Sequence, residues 1–68
     1  METFNIAQIA SLKLVTLDRN GAAPDFCHIY FGVNTPKNGR LYVATDLDGN
    51  YEFVRAHTRA AARALLLA

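Results

Sequence analysis

Cysteine and long apolar runs are scarce in this 68-residue chain, and each shortage excludes a class of protein. Cys27 has no second cysteine with which to form an internal disulfide or a cysteine-based zinc site. No apolar run approaches the ~20 residues that a membrane-spanning helix needs. No basic segment followed by an apolar run marks a secretory signal. We therefore expect a cytoplasmic protein without membrane contact.

Signatures of catalysis are missing as well. The sequence has no paired carboxylates, no glycine-rich phosphate loop and no Ser/His/Asp arrangement. Cys27 and His28 are neighbours on a predicted strand and so point to opposite faces, which prevents them from acting as a pair. The turn at residues 46–50 has the acidic character of a calcium loop, but its glycine comes too early, so we interpret it as a hairpin turn. We expect no catalytic residues, no metal and no cofactor.

The composition that remains is that of a folded domain, since 51% of the residues are hydrophobic. A chain of this length has room for one domain, which we predict to span residues 1–68. The pattern predicts an α+β fold, in which a C-terminal helix packs on one face of a small antiparallel sheet of three or four strands. Residues 4–11 fit either a short N-terminal helix capped by Asn5 or an irregular lead-in strand.

Four segments have the alternation and the β-branched or aromatic content of strands: residues 12–17, 26–33, 40–45 and 51–55. In the second of these, the more apolar set is predicted to face inward: Cys27, Ile29, Phe31 and Val33. The last two are predicted to form a hairpin around the turn 46–50. That register sets Val43 opposite Phe53 and Leu41 opposite Arg55.

A helix is predicted from Thr58 onward, because Thr58 suits the N-cap position and strong helix formers follow it. Its small apolar residues predict close packing on the inner face of the sheet. The expected contacts join Ala61, Ala64 and Leu65 to Ile29, Phe31, Val43 and Phe53.

Positive charge is concentrated at this helix. Residues 1–54 carry four basic and six acidic side chains, whereas residues 55–68 carry three arginines and no acid. Residues four apart share one helix face, so Arg59 and Arg63 form a row that Arg55 extends if the helix begins early. Leu66 falls in the same arc, where a purely solvated face would not place it. The row either solvates the outer face of the helix or contacts phosphates or an acidic partner.

The outer face of the predicted sheet carries aromatic rings, Tyr30 and Tyr42, beside His28. Exposed rings on a sheet can stack nucleobases. Tyrosine is also an ordinary residue of half-exposed strands, and the same face would serve as a dimer interface. All three interpretations remain open from the sequence.

Two families have a similar order of elements. With residues 5–11 helical, the chain resembles a double-stranded RNA-binding domain, and Thr58-Arg59 and Ala62-Arg63 lie near the positions of that family's basic helix-start motif. Three strands followed by a helix is similar to the arm-type DNA-binding domain of phage integrases, which reads DNA with its sheet. Both resemblances imply nucleic-acid binding.

The sequence thus predicts a small non-enzymatic binding or regulatory module. The favoured partner is nucleic acid, and the predicted contact residues are Arg55, Arg59, Arg63, Tyr30, Tyr42 and Leu66. The alternative is a protein-interaction module, such as a small inhibitor encoded by a phage or mobile element or a homodimeric accessory protein. In that case the exposed sheet face or the helix end at Leu66–Leu67 would meet the partner.

Overall fold

A computed structural model describes residues 4–68 of the chain, so the single-domain prediction extends over residues 1–3, which lie outside the described part. Its elements follow in chain order: β1 (Ile9–Leu14), β2 (Ala22–Ala23), β3 (Ile29–Tyr30), β4 (Arg40–Asp46), β5 (Tyr51–Ala56) and α1 (Arg59–Leu67). β1, β4 and β5 form a three-stranded antiparallel sheet, and β2 pairs with β3 in a second, two-stranded sheet. The predicted α+β class, with a C-terminal helix on a small antiparallel sheet, is confirmed.

The β4–β5 hairpin has the register that the sequence predicts. Val43 lies opposite Phe53, and Leu41 lies opposite Arg55. A one-residue slip would exchange the two faces of each strand, so this register decides which side chains meet on each side of the sheet.

The hairpin turn is held by Asp46, which is only 2% exposed. Its carboxylate accepts hydrogen bonds from the backbone N–H groups of Asn5, Asp48 and Asn50, each with an N–O distance of 2.9 Å. Burial raises the pKa of the Asp46 carboxyl group, but the donors from Asn5, Asn50 and Asp48 outweigh it and hold the pKa below its usual value. The side chain therefore joins the segment before β1 to the turn after β4.

β1 lies along the other side of β4, which makes β4 the central strand. The predicted strand over residues 12–17 is displaced, since β1 begins at Ile9 and ends at Leu14. Its register against β4 shifts between Ile9 and Ser11, which marks a β-bulge.

The lead-in to β1 is a single 3-10 turn, Ile6–Gln8, where the sequence allowed a short helix. The Asn5 side chain caps this turn by accepting a hydrogen bond from the backbone N–H of Ala7 at 3.1 Å. One turn does not supply the N-terminal helix on which the resemblance to a double-stranded RNA-binding domain depends.

The prediction of a strand over residues 26–33 is wrong. A 3-10 turn at Pro24–Phe26 opens this segment, and Cys27 and His28 then adopt left-handed conformations with φ of 58° and 55°. Left-handed residues reverse the direction of an extended chain, so only the short β3 remains as strand. Of the four side chains assigned to an inner face, Phe31 packs against the core, and three are exposed: Cys27, Ile29 and Val33.

The main sheet is covered on both faces, by loops on one side and by α1 on the other. The loop side buries four residues, Val15, Ala23, Leu41 and Val43, with half-buried neighbours Leu17, Phe26, Phe31 and Phe53. On the helix side, a buried cluster contains Tyr42, Ala56 and Ala62, with Leu12 and Val54 packed around it.

α1 therefore packs on the face opposite to the predicted one. Ala62 is fully buried in the cluster with Tyr42 and Ala56, whereas the residues expected at the contact are exposed: Ala61, Ala64 and Leu65. The reason lies in β4, where the consecutive residues Leu41–Ala44 are all buried. A strand that is apolar on both faces needs two covers, and the aromatic loop residues take the face that was assigned to the helix.

The covering loop is closed at Gly21, which has a φ of +86°. The carbonyl oxygen of Gly21 accepts hydrogen bonds from the backbone N–H groups of Phe31 at 2.8 Å and Gly32 at 3.1 Å. A Cβ atom on Gly21 would lie 2.5 Å from the carbonyl carbon of Gly32. Both the conformation and this close approach require glycine.

Candidate functional site

The helix that carries the predicted arginine row begins where the sequence places it. Thr58 is the N-cap, and its hydroxyl oxygen accepts a hydrogen bond from the backbone N–H of Ala61 at 3.0 Å. Arg59 and Arg63 are both exposed and lie one turn apart on α1. Within residues 4–68 neither guanidinium group has a hydrogen-bond or ion-pair partner.

These two arginines line a groove between α1 and the edge strand β1. The groove has a volume of about 400 Å³, and its walls are Arg59, Ala60 and Arg63 on the helix and Ile9, Ala10, Ser11 and Leu12 on the strand. We call it the arginine groove. Ile9 and Leu12 are half-buried, so the strand side of the groove offers apolar surface beside the two charges.

The charge of the arginine groove is of one sign. Its described lining contains two arginines and no acidic side chain. Residues 55–68 contain no acid that would neutralise them from the same helix. A groove of this kind attracts an anionic group, and the apolar strand wall adds contact area that a bare charged surface lacks.

Arg55 does not belong to the row, because it lies on β5 before the helix begins and points to the loop side of the sheet. Its Nη1 donates hydrogen bonds to Asn34 Oδ1 at 2.9 Å and to the carbonyl oxygen of Gly39 at 2.8 Å. Its Nη2 donates to the carbonyl oxygens of Phe31, at 3.0 Å, and Gly32. The prediction that Arg55 extends the arginine face is corrected: this guanidinium fastens the loop over residues 31–39 to the sheet.

The two tyrosines of the predicted aromatic face are separated. Tyr42 is 4% exposed and lies in the cluster beneath α1, so its ring is not available for stacking. Tyr30 is 72% exposed but lies on β3, in the layer that covers the other side of the sheet. The prediction of one exposed face shared by Tyr30 and Tyr42 is wrong, because α1 covers Tyr42 and Tyr30 lies on the opposite side of the sheet.

Leu66 is half-buried and lies one helical turn beyond the fully buried Ala62. Its place in the arc near Arg63 therefore reflects partial packing of the helix. The neighbouring residues Leu65 and Leu67 are 55% and 58% exposed, so the apolar surface at the helix end is carried by them.

The other chemically active side chains of the described part of the chain lie in separate parts of the fold. Cys27 and His28 are exposed on the left-handed turn, and His57 lines a second cleft of about 350 Å³ with Arg40 and Thr35. Among residues 4–68, no three His, Cys, Asp or Glu side chains come together as a metal ligand set. No helix in the same range combines the length and apolar character that a membrane crossing requires.

The sequence identified the helix side of the arginine groove and missed the strand side. Residues 9–11 were interpreted as part of an ambiguous lead-in, although Ile9 and Leu12 are apolar residues in a stretch without proline or glycine. That composition is compatible with a strand starting earlier. Comparisons with protein-family models, with curated proteins and with solved structures found no match for this chain.

Proposed function

We propose that this protein is a small non-enzymatic binding module that holds an acidic segment of a partner protein in the arginine groove. One feature supports this role above the others: Arg59 and Arg63 line a groove whose second wall is the edge strand β1, with the apolar residues Ile9, Ala10 and Leu12. Guanidinium groups bind carboxylates through paired N–H donors, which gives direction as well as attraction.

A protein segment suits this groove better than nucleic acid. With Arg55 committed to loop carbonyls and Tyr42 covered by α1, two of the predicted nucleic-acid contacts are occupied by the fold. Arg59 and Arg63 alone would neutralise about two phosphates, which gives a salt dependence of slope roughly −2 and weak binding. Apolar strand residues are of little use against a phosphate backbone, whereas a peptide with mixed acidic and apolar side chains uses both walls.

A second copy of this chain is a weaker occupant than an acidic partner. Two copies that met at their grooves would bring four arginines together, and residues 55–68 contain no acid that would neutralise their charge. Like charges held close together at an interface disfavour association.

The test is a titration of ¹⁵N-labelled protein with the peptide acetyl-Thr-Glu-Val-Glu-Val-Glu-Thr-amide and with its twin in which glutamine replaces each glutamate. We expect the amide signals of residues 9–12 and 59–63 to shift with the acidic peptide. The double variant R59A/R63A is expected to weaken that binding by about tenfold or more, since two charge-assisted contacts are lost. The double variant R19A/K37A removes the same charge from exposed loop positions and is expected to bind as the wild type does.

Three results would count against the proposal. The glutamine twin could bind as well as the acidic peptide, R59A/R63A could leave the affinity unchanged, or the groove signals could fail to move at millimolar peptide. A short duplex DNA and a single-stranded RNA are titrated in parallel. Stronger shifts with either of them than with the acidic peptide would favour the nucleic-acid interpretation instead.

A further inference from the structure

Given that the arginine groove holds an acidic partner, as proposed above, we infer that the partner segment enters as an extended strand that pairs with the outer edge of β1, which no strand within residues 4–68 occupies. β1 is one edge of the β1-β4-β5 sheet. One row of its backbone N–H and C=O groups points away from β4, and an edge of this kind is a template for another strand. The bound segment would become a fourth strand of the main sheet.

The lining of the groove places this edge within it. Four consecutive residues of β1, Ile9–Leu12, line the groove. After the bulge the register is regular, so Ser11 and Leu12 point to opposite faces of the sheet, yet both line the groove. A groove lined by both of them reaches the outer edge of the strand, where the backbone is exposed.

The spacing of the two arginines fits a strand. Arg59 and Arg63 are four residues apart, which separates them by about 6 Å along the helix axis. Alternate residues of a strand are about 6.7 Å apart and point to the same side. Carboxylates at alternate positions of an added strand are therefore spaced much as the two arginines are along the helix, and the residues between them point to the other face.

Features of the edge disfavour promiscuous pairing. β1 carries a bulge between Ile9 and Ser11 and a lysine, Lys13, beyond the groove. Bulges and edge lysines are the means by which sheets avoid pairing with copies of themselves. A second copy of β1 would add its own Lys13 and two more arginines, whereas an acidic strand meets each of these charges favourably. Charge complementarity thus selects an acidic strand as the occupant.

The experiment uses two backbone-methylated twins of the Glu/Val peptide. One twin carries N-methyl groups on alternate residues, and the other carries the same number on the residues between them. Only one of the two sets of N–H groups faces β1 in a paired strand. We expect one twin to lose binding by about tenfold or more, since several hydrogen bonds are removed, and the other to stay within about threefold of the parent.

In the same samples, the rate of amide hydrogen exchange is measured for residues 9–12 of the protein. This exchange is expected to slow when the parent peptide binds. Equal affinity of both twins and the parent would overturn the strand inference while leaving the proposed function intact, provided that binding still depends on Arg59 and Arg63. Equal loss by both twins with no slowing of exchange would also overturn it. Binding of the parent that ignores R59A/R63A would overturn the proposed function and this inference with it.

Discussion

A substitution of Arg55 tests a contribution to folding that is separate from binding in the arginine groove. Its guanidinium group donates to four neutral oxygen atoms, three backbone carbonyls and one amide side chain, all in the loop over residues 31–39. The substitution Arg55→Ala removes every one of these donors. The loop it fastens covers the face of the sheet that buries Leu41 and Val43.

The expected cost follows from the type of hydrogen bond. Bonds to a charged group contribute about 1.5–3 kcal/mol each in mutational series, but a half-buried site lets water replace part of what is lost. We therefore expect Arg55→Ala to lower the free energy of unfolding by about 2–4 kcal/mol. The free energy of unfolding of a domain of this length is about 3–10 kcal/mol, so the expected loss is a large fraction of it.

The assay is urea unfolding followed by circular dichroism, with Arg19→Ala as the control for removing one exposed arginine. Arg55→Lys keeps the charge and reaches fewer of the four oxygens, so an intermediate midpoint is expected. This variant also keeps the measurement possible if Arg55→Ala does not fold. A midpoint of Arg55→Ala equal to that of Arg19→Ala would refute the assignment of Arg55 to the fold.

Two further predictions concern backbone and charge. Gly21→Ala is expected to cost about 3 kcal/mol or more, because both left-handed strain and a backbone clash oppose it. Gly49 also has a positive φ, +87°, but there is open space around an added Cβ, so Gly49→Ala should lower the free energy of unfolding by only about 1–2 kcal/mol. Equal losses for the two variants in urea unfolding would contradict this. The folded pKa of Asp46 lies below its ordinary value of 3.8, so its stabilisation is present above that pH and is lost as the pH falls through the folded pKa. The N–H of Ala22 lowers the pKa of Asp18, so Asp18 also stabilises the fold less as the pH falls. Asp46→Asn should therefore weaken the acid dependence of the urea unfolding midpoint without abolishing it.

The parts of the fold that sequence predicts well are those in which local signals agree. The β4–β5 register follows from a turn of defined length between two strands of alternating character, and α1 follows from the N-cap Thr58 and the helix formers after it. The segment 26–33 fails because β-propensity reports side-chain packing more than backbone preference. Phe26 and Phe31 do pack on Phe53, with ring centroids 4.9 and 4.7 Å from it, but they do so from an irregular loop.

The side of the sheet on which α1 packs was predictable only in part. Leu41–Ala44 form an uninterrupted apolar run, which is the pattern of a strand buried on both faces. That pattern indicates two covering layers but does not say which segment forms each of them. The choice depends on contacts between residues far apart in sequence, such as those of Ala62 with Tyr42, and periodicity within one segment contains no information on them.

The three arginines show most clearly that spacing in the sequence does not predict surroundings in the fold. Arg55, Arg59 and Arg63 are equally spaced in the sequence but have different surroundings. Spacing of four places residues on one face only inside a helix, and the helix begins at Arg59. Arg55 instead follows the two-residue period of β5, which turns it toward the loop carbonyls. Its loss should therefore lower stability and leave the affinity of the folded molecules for the acidic peptide unchanged. The loss of Arg59 and Arg63 should lower the affinity for the acidic peptide and leave the stability unchanged, because no described residue depends on either guanidinium group.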